Sequence, residues 1–437
     1  MGLTSKLDKL KLISHHDHDS SSSIDKSVDH SKSTNADNPE NSDDIDEVDN
    51  EGQSILMGII SQLRPGCDLT KITLPTFILE KKSMLERITN FFLIPDILFQ
   101  ANNTEDPLER FILMLKWYLA SWHIAPKAVK KPLNPVLGEF FSCYWDLPSD
   151  DQAFYIAEQT SHHPPKSSYF YMVPEQKIRV DGVIIPRSKF LGNSSAAIME
   201  GWGHVTLGKR DEVYIMNQPN VYVRGILFGK MRTELGDHMY VKCPKNEYEA
   251  DIEFKTKGFI SGTYDAIEGI VKSTASSEHL FSISGKWNDV MEIKDLKTGK
   301  KEVLFDTKET VTRKLSVRPL AEQFDHESRK LWKPTIDALS NRDHETATEE
   351  KFKVENDQRI RAKKRTEDGV DFHPKFFRPV GPEEESISDL EYILYKNLDL
   401  NSTPEELKKH ILDIAPILPG QHFEDKYQIP AFEKNHS

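Results

Sequence analysis

The sequence predicts a mostly antiparallel β-protein with helices before and after the β-region. Between about Phe140 and Pro319, short runs of β-branched and aromatic residues recur and are separated by turn residues. This pattern is typical of a meander, and hence of a sandwich or a large antiparallel barrel. Residues 83–125 and the residues after Pro319 have helical periodicity instead. Strands do not alternate with crossover helices, which excludes a parallel α/β fold.

Each element is predicted from its own pattern. The predicted strands are Phe154–Ala157, Tyr169–Val173, Val213–Met216, Tyr222–Leu227, Glu249–Phe254, Phe259–Tyr264, Leu280–Ser284 and Glu302–Phe305. One apolar helical face before them holds Leu108, Phe111, Ile112, Leu115, Leu119 and Trp122. After them, Glu322–Leu339 and Ala347–Arg365 are predicted helices. Pro334 should break or kink the first of these two.

Composition limits the classes of function. The chain has 437 residues and a net charge of −13, and residues 1–50 hold 5 Lys against 12 Asp plus Glu. An acidic protein with an acidic tail is a poor candidate for nucleic-acid binding. The three cysteines, Cys67, Cys143 and Cys243, are far apart and form no metal pair or disulfide framework, which fits a reducing compartment. We find no signal peptide and no transmembrane segment in the sequence.

The N-terminal region divides in two. Residues 14–50 are rich in Ser, Asp, His and Asn, so we expect disorder, and the cluster from His15 to His18 is interpreted as a solvated run rather than a metal site. Ile55, Leu56, Ile59, Ile60 and Leu63 then form one helical stripe that stops at Pro65. This helix is too short to be stable alone in water. It is either an ordinary core helix or a detachable lid preceded by acidic residues.

The most unusual local sequence is Glu158–Pro165, which reads EQTSHHPP. Proline fixes φ, lacks an N–H and disfavours the α region for the residue before it. We therefore expect His163 to be extended and the strand to end there. Neighbouring side chains of an extended segment point to opposite faces, so we expect His162 and His163 to diverge, with at least one imidazole facing a wall or cavity.

The histidine pair alone allows several kinds of site. It could be a satisfied core pair, an anion site, or part of a metal-dependent hydrolase that also uses Glu158. The metal interpretation is weak, because zinc pairs use spacings that put both rings on one face. Glu158 also lies four residues from His162, about 13 Å along an extended chain.

A second candidate lies in the predicted helix 347–365. Lys351, Glu355 and Arg359 are spaced i, i+4, i+8 and so share one stripe. The stripe is either a solvated ladder of ion pairs or an anion clamp in which Glu355 orients both cations. With Lys131 and Asn134 of a Pro-rich loop and the two histidines, the chain offers a set suited to a phosphorylated head group.

These motifs together resemble the oxysterol-binding protein-related family of lipid-transfer proteins. EQTSHHPP looks like the family signature, Lys131–Glu139 (KPLNPVLGE) resembles its second motif, and the Lys351/Glu355/Arg359 helix resembles its third. The similarity covers about residues 51–430. The stretch Leu74–Asn90 (LPTFILEKKSMLERITN) looks close to the short fungal members that carry phosphatidylserine.

The resemblance implies a fold and a domain organisation. The fold is a large incomplete antiparallel β-barrel around an apolar tunnel. The implied organisation is a disordered acidic tail (1–50), a lid (51–70), a lipid-binding region with N-terminal helices and the barrel (71–319), and a C-terminal helical subdomain (320–437).

The resemblance also implies ligands and their contacts. The shared ligand would be phosphatidylinositol 4-phosphate, bound by Lys131, Asn134, His162, His163, Lys351, Glu355 and Arg359. A second lipid, phosphatidylserine, would be contacted by Ile72, Leu74, Asn134 and Ser188. We expect exchange of the two lipids between endoplasmic reticulum and plasma membrane, with no covalent catalysis and no cofactor. The expected partners are anionic membrane surfaces and a tether protein of the endoplasmic reticulum, and the expected location is cytoplasm at contact sites of the two membranes.

Three alternatives remain at this stage. The cargo exchanged for phosphatidylinositol 4-phosphate could be a sterol. The protein could be a phosphoinositide sensor that binds without transferring. The metal-dependent hydrolase is the third.

Overall fold

The computed structural model describes residues 64–67, 76–124, 129–226, 230–258 and 262–424. The predicted tail lies outside the described residues, and so do Ile72, Leu74 and all but a few residues of the predicted lid. In the described ranges, none of the helices is both long and apolar enough to cross a bilayer.

The described N-terminal part is a short strand followed by buried helices. Strand β1 (Leu79–Ser83) leads into α1 (Met84–Arg87), whose first turn is capped by the Ser83 side chain. Helices α2 (Pro95–Asn103) and α3 (Pro107–Ala120) follow, and each has Pro in its first turn, where no N–H is needed. The Asp106 side chain accepts from the Glu109 N–H to cap α3. Most residues of α3 are buried, as expected of a helix that lies within the core.

A fourteen-stranded antiparallel sheet forms the body of the protein. Ahead of it, β2 (Lys131–Leu133) pairs in parallel with β1. The strands of the sheet are β3 (Phe140–Asp146), β4 (Gln152–His162), β5 (Pro165–Val173), β6 (Ile178–Phe190), β7 (Ser194–Glu200), β8 (Gly203–Leu207), β9 (Glu212–Met216), β10 (Asn220–Arg224), β11 (Arg232–Cys243), β12 (Tyr248–Lys255), β13 (Ala266–Ser273), β14 (His279–Lys286), β15 (Val290–Asp295) and β16 (Lys301–Asp306).

The pairing of these strands closes a local ring. Each strand from β3 to β6 pairs with the next, as does each strand from β10 to β16. Between them, β6 pairs with β8 near its start and with β7 near its end, while β11 pairs with β9 as well as with β10. The ladders β6–β8–β9–β11–β10–β7 therefore return to β6. Pro186 lies in the stretch of β6 that pairs with β7.

Most predicted strands are confirmed. Of the predicted strand Phe259–Tyr264, residues 259–261 lie outside the described residues, and the described residues 262–264 are not in a strand, because β13 begins only at Ala266. Gly262 has φ +110° and Asp265 has φ 62°, so the backbone turns before the strand starts. The long strand β6 was not predicted, because Gly182 and Pro186 interrupt its pattern.

Strand β4 is buried on both faces. Ala153, Tyr155 and Ala157 pack with the N-terminal helices in the main core, whereas Phe154 and Ile156 pack with the C-terminal segment in a second core. This is the period-2 alternation of a strand that is covered on each side. The end of β4 is therefore held firmly between two layers.

The edge strand β3 is covered by the chain that follows the sheet. Tyr144 and Ser316 exchange two backbone hydrogen bonds of 2.9 and 2.7 Å, and the Phe140 N–H donates to the His326 carbonyl at 3.1 Å. An uncovered edge would offer unpaired backbone groups to another chain. Here residues 316–326 occupy that position.

The C-terminal part is helical with a small β-ribbon. It contains α4 (Ser328–Leu331), α5 (Lys333–Ser340), α6 (His344–Asp368), strands β17 (Phe377–Pro379) and β18 (Tyr392–Leu394), and α7 (Pro404–Ile414). The predicted break at Pro334 is confirmed, because Pro334 lies in the first turn of α5. The predicted start at Glu322 is wrong, since helix begins only at Ser328. Helix α6 runs from its Asp343 cap to Gly369, which has φ +63°.

Candidate functional site

The two histidines lie at the turn of the β4–β5 hairpin. His162 pairs with Pro165, so His163 and Pro164 form the two-residue turn, joined by a cis peptide bond. The predicted strand end is confirmed. The expectation that the two side chains diverge is wrong: their ring centroids are 4.3 Å apart at an interplanar angle of 56°. Strand alternation does not apply because His163 has already left the strand.

Buried polar side chains hold this hairpin in place. The Ser167 hydroxyl donates to Gln159 Oε1 at 2.7 Å, and the Thr160 and Ser168 hydroxyls are 2.9 Å apart. Gln159 Nε2 also donates to the Ser161 carbonyl at 2.9 Å. These bonds span the irregularity in register between Gln159 and Ser161. The hydroxyl and amide residues of the motif therefore set where the histidine rings lie.

The buried side chain of Glu139 holds the Pro-rich loop in place. Its fully buried carboxylate accepts from the Val136 N–H at 3.0 Å, the Ser328 hydroxyl at 2.7 Å and the Trp332 indole N–H at 2.9 Å. Burial raises the pKa of Glu139, while these donors oppose that rise. Lys131 lies at the start of β2, and exposed Asn134 follows that strand.

The predicted stripe of α6 forms as expected. Lys351 Nζ donates to Glu355 Oε1 at 2.5 Å, and an Arg359 nitrogen lies 3.8 Å from the other oxygen of Glu355. Lys351 and Glu355 are partly buried, whereas Arg359 is more exposed. Glu355 therefore lies between the two cations and orients both.

These three segments meet. The pKa of Lys131 is lowered by desolvation and by the positive charge of Lys351, with Glu355 opposing. Lys131 nevertheless keeps exposed surface. We call the region shared by Lys131, the two histidines and the α6 stripe the hollow. The pKa of His162 is lowered by desolvation, by His163 and by Arg359, again with Glu355 opposing. The hollow therefore carries a surplus of positive charge.

Gln358 connects all three segments and was missed by the sequence reasoning. Its Oε1 accepts from the Leu137 N–H of the Pro-rich loop at 2.5 Å, and its Nε2 is 3.0 Å from His162 Nε2. The backbone N–H can only donate, so the amide oxygen faces Leu137 and the NH₂ group donates to His162. The helical phase could have indicated it: Gln358 shares the inner face of α6 with buried Ala347 and partly buried Val354.

The residues predicted for the second lipid are placed only in part. Ser188 is half-buried on β6 and has the same strand parity as Ile184, which lies in the main core. Ser167 pairs with Ile184, and continuing that register places Pro186 opposite Pro165. Ser188 therefore lies at the same end of the sheet as the histidine pair. Ile72 and Leu74 fall outside the described residues.

Glu158 serves a different purpose from the histidines of its motif. Its fully buried carboxylate accepts from the Lys375 N–H at 2.6 Å and the Phe376 N–H at 2.8 Å, both in the C-terminal layer. Burial raises its pKa to about 7. It is thus engaged away from His162 and His163, and the described part of the chain contains no group of three residues suited to a metal ion. Glu158 therefore does not converge with the two histidines, as the hydrolase alternative would require.

The interior between the N-terminal helices and the sheet is apolar. A small cavity lies between the N-terminal helices and the sheet, and aromatic side chains form much of its wall. It is lined by Phe91, Phe92, Trp117, Tyr118, Tyr169, Val180, Gly203, Val205 and Met216. Polar groups thus cluster at one end of the sheet, and the interior offers apolar contacts.

Known proteins have similar sequences. The family model described as oxysterol-binding protein matches residues 58–403. The chain is 67% identical to an oxysterol-binding protein-like protein (OBPalpha) of Candida albicans over the full length of both. It is 60% identical to oxysterol-binding protein homolog 6 of Saccharomyces cerevisiae, covering 92% of this chain and 90% of that protein.

Solved structures have the same fold at low sequence identity. The Osh1 ORD domain in complex with cholesterol matches with a TM-score of 0.66 at 23% identity, covering 84% of this chain and 91% of that one. The Osh3 ORD from Saccharomyces cerevisiae in complex with PI(4)P matches with a TM-score of 0.59 at 20% identity, covering 82% and 92%. The predicted fold, mostly antiparallel β with helices, is confirmed, and by the family model and the identity to these relatives the chain belongs to the oxysterol-binding protein family.

Proposed function

We propose that this protein extracts phosphatidylserine and exchanges it for phosphatidylinositol 4-phosphate between the endoplasmic reticulum and the plasma membrane. One observation carries the proposal. Lys131, the two histidines and the Lys351–Arg359 stripe lie close together in one hollow. No covalent chemistry and no cofactor are needed, because the work is to hide one lipid at a time from water.

The hollow suits a phosphate monoester. Such a group carries between one and two negative charges near neutral pH and accepts several charge-assisted hydrogen bonds. Lys131, Lys351 and Arg359 supply fixed positive charge, and the histidines add donors. The lowered pKa values of Lys131 and His162 reflect repulsion and desolvation that a bound anion relieves. Asn134 adds an exposed amide beside this set.

The acyl chains belong on the apolar side of the hollow. Each methylene kept out of water contributes roughly 0.8 kcal/mol, so the chains need a covered apolar path. The aromatic-lined cavity between the N-terminal helices and the sheet offers apolar contacts of this kind, and the predicted lid would complete the cover. Two lipids that compete for one interior are exchanged rather than carried together.

Phosphatidylserine as second cargo is supported by sequence. The stretch Leu74–Asn90 resembles the short fungal members that carry it, and Ser188 lies at the head-group end of the sheet. Ile72, Leu74 and Asn134 would complete its contacts. We propose a location in the cytoplasm, peripheral at contact sites of the two membranes, where a tether of the endoplasmic reticulum would hold the protein.

The test begins with mass spectrometry of lipids that co-purify with the protein. We expect both phosphatidylserine and phosphatidylinositol 4-phosphate. The double variant His162→Ala/His163→Ala should lose extraction of the phosphoinositide at least about tenfold, the cost of removing charge-assisted bonds, and keep phosphatidylserine. The exposed His279→Ala serves as the matched control. Equal loss of both lipids in the double variant would contradict the clamp.

Sterol is the second candidate cargo, because Osh1, which has the same fold, was solved with cholesterol. Co-purified sterol in place of phosphatidylserine would establish it. A sensor that binds without transferring is distinguished by liposome-to-liposome transfer: a sensor would extract lipid from donor vesicles and deliver none to acceptors.

A further inference from the structure

Helix α6 presents two large apolar side chains to solvent. Phe352 is 56% exposed and Ile360 is 59% exposed. They are eight residues apart, which places them a little over two turns apart on the outward side of the helix. Single exposed apolar residues are common, but this pair lies on a helix that is otherwise strongly polar.

Helix α6 contains seven Lys or Arg and seven Asp or Glu, but its cations are concentrated between residues 351 and 365. Residues 351–365 contain seven Lys or Arg against two acids, although the chain has a net charge of −13. From Arg359 to Arg365 there are five cations and no acid. Lys353, Lys363 and Lys364 are exposed beside the apolar pair. We call Phe352, Lys353, Ile360, Lys363 and Lys364 the α6 outer face.

The ion pairs of this face leave its cations available. Lys353 lies 2.5 Å from Glu350, and Lys363 lies 3.6 Å from Glu367, with both lysines mostly exposed. Exposed pairs of this kind contribute little and exchange readily with other anions. A surface of anionic phosphates can therefore replace the carboxylates.

We infer that the α6 outer face docks on an anionic lipid bilayer, with Phe352 and Ile360 inserted at the level of the head groups and the lysines on lipid phosphates. This combination of apolar residues and cations on one helical face is that of helices which lie in a membrane interface. A protein partner would have to be both acidic and apolar, whereas a bilayer offers the two properties in adjacent layers.

Docking through this face would place the hollow at the membrane. Lys351, Glu355 and Arg359 lie on the flank of the same helix, and the Arg359 guanidinium is 5.7 Å from the centroid of the Phe352 ring. The surface that contacts the bilayer thus adjoins the site that selects the head group. The inference rests on the proposed function, since it assigns the step before extraction.

The experiment is flotation of the full chain with vesicles of phosphatidylcholine, with or without phosphatidylglycerol. Neither lipid is a proposed cargo, so docking is measured apart from extraction. We expect binding only to the anionic vesicles, with a marked loss when salt shortens the Debye length from about 10 Å to about 3 Å. Equal binding to neutral and anionic vesicles, or no binding to either, would overturn the inference.

Two variants divide the contributions. Phe352→Ser/Ile360→Ser should lower the partition coefficient at least about tenfold, since two apolar side chains no longer insert. Lys363→Gln/Lys364→Gln should lower it about 25-fold, at roughly fivefold per charge, and reduce its dependence on salt. Val303→Ser and Lys300→Gln/Lys301→Gln, on exposed positions at the β16 edge, are the matched controls. Outer-face variants that float as well as these controls would refute the assignment.

A second readout separates docking from the proposed function. Binding of a short-chain phosphatidylinositol 4-phosphate, measured by calorimetry, should be unchanged in both outer-face variants, which also shows that they are folded. Loss of vesicle binding with this affinity retained supports the docking face. If the native chain floats with anionic vesicles and the variants do not, but the short-chain lipid never binds, docking stands and the proposed cargo fails. If an outer-face variant loses the short-chain lipid as well, its lost flotation reflects the hollow or the fold, and a separate docking face is refuted.

Discussion

Glu139 and Lys131 belong to one nine-residue motif but meet opposite environments. Glu139 is fully buried, and its oxygens accept from the Val136 N–H of the same motif and from the Ser328 and Trp332 side chains of the C-terminal part. Lys131 keeps exposed surface and faces another lysine. The same division separates Glu158, which holds the C-terminal layer, from His162, which borders the hollow.

The difference shows how each motif is built. The buried carboxylates hold the loop and the strand in place. The cations have too few acidic partners to balance their charge, so an anionic ligand can balance it. A motif is then part scaffold and part binding site, and substitution should affect stability at one kind of position and binding at the other. The predictions that follow test this division, from the largest expected effect to the smallest.

Glu139→Ala should be the most destabilising change. It leaves the buried Val136 N–H and Trp332 indole N–H without an acceptor, whereas the Ser328 hydroxyl keeps the Phe140 carbonyl. We expect a cost of about 3 kcal/mol in the free energy of unfolding. Glu355→Ala, in a partly exposed pair on α6, should cost less than about 1 kcal/mol yet weaken binding of phosphatidylinositol 4-phosphate. Chemical denaturation measures both. Similar losses of stability in the two variants would remove the distinction between scaffold and binding carboxylates.

Lys131→Met should change binding without changing stability. We expect extraction of phosphatidylinositol 4-phosphate to fall about tenfold or more, while the free energy of unfolding stays constant or rises, because repulsion from Lys351 is removed. The matched control is Lys130→Met. Lys130 Nζ donates to the Phe77 carbonyl at 3.0 Å, so this variant should lose some stability and keep lipid extraction. The reverse pattern would show that Lys131 is structural.

The smallest effect concerns Gln358 and pH. The Gln358 NH₂ group donates to His162 Nε2 and so favours the neutral ring, whose pKa is already below its usual 6.5. The folded protein then binds fewer protons there than the unfolded chain, and stability falls as pH drops below about 6.5. Gln358→Glu would accept from His162 instead, raising its pKa and reducing that loss.

Titration of the His162 ring by NMR measures this directly, and unfolding at several pH values measures the consequence. Gln358→Leu, which removes both contacts, is the comparison. It should leave the Leu137 N–H without an acceptor and so make the Pro-rich loop less stable. An unchanged His162 titration in Gln358→Glu would mean that the contact does not set the protonation state of the ring.

Sequence reasoning found the fold and most of the hollow because both depend on local patterns. Turn residues between apolar runs marked the strands, and the i, i+4, i+8 spacing marked the α6 stripe. It failed where tertiary context decides. The rings of His162 and His163 converge because the strand ends between them. Gln358 connects the segments only because the tertiary fold brings Leu137 and His162 within hydrogen-bond distance of its side chain. Strand β6 was not predicted because a proline argues against a strand in sequence. Pro186 lies in this strand near the point where its pairing changes from β8 to β7.

The order of the segments along the chain has a consequence for synthesis. All fourteen strands precede α6, and the cover over the β3 edge follows the last strand of the sheet. A nascent chain therefore has its apolar interior and an open sheet edge before Lys351, Glu355 and Arg359 leave the ribosome. Recognition of the head group becomes possible only when the chain is nearly finished, so a chain truncated before α6 would keep the sheet and its covered β3 edge but lack the three head-group residues of that helix.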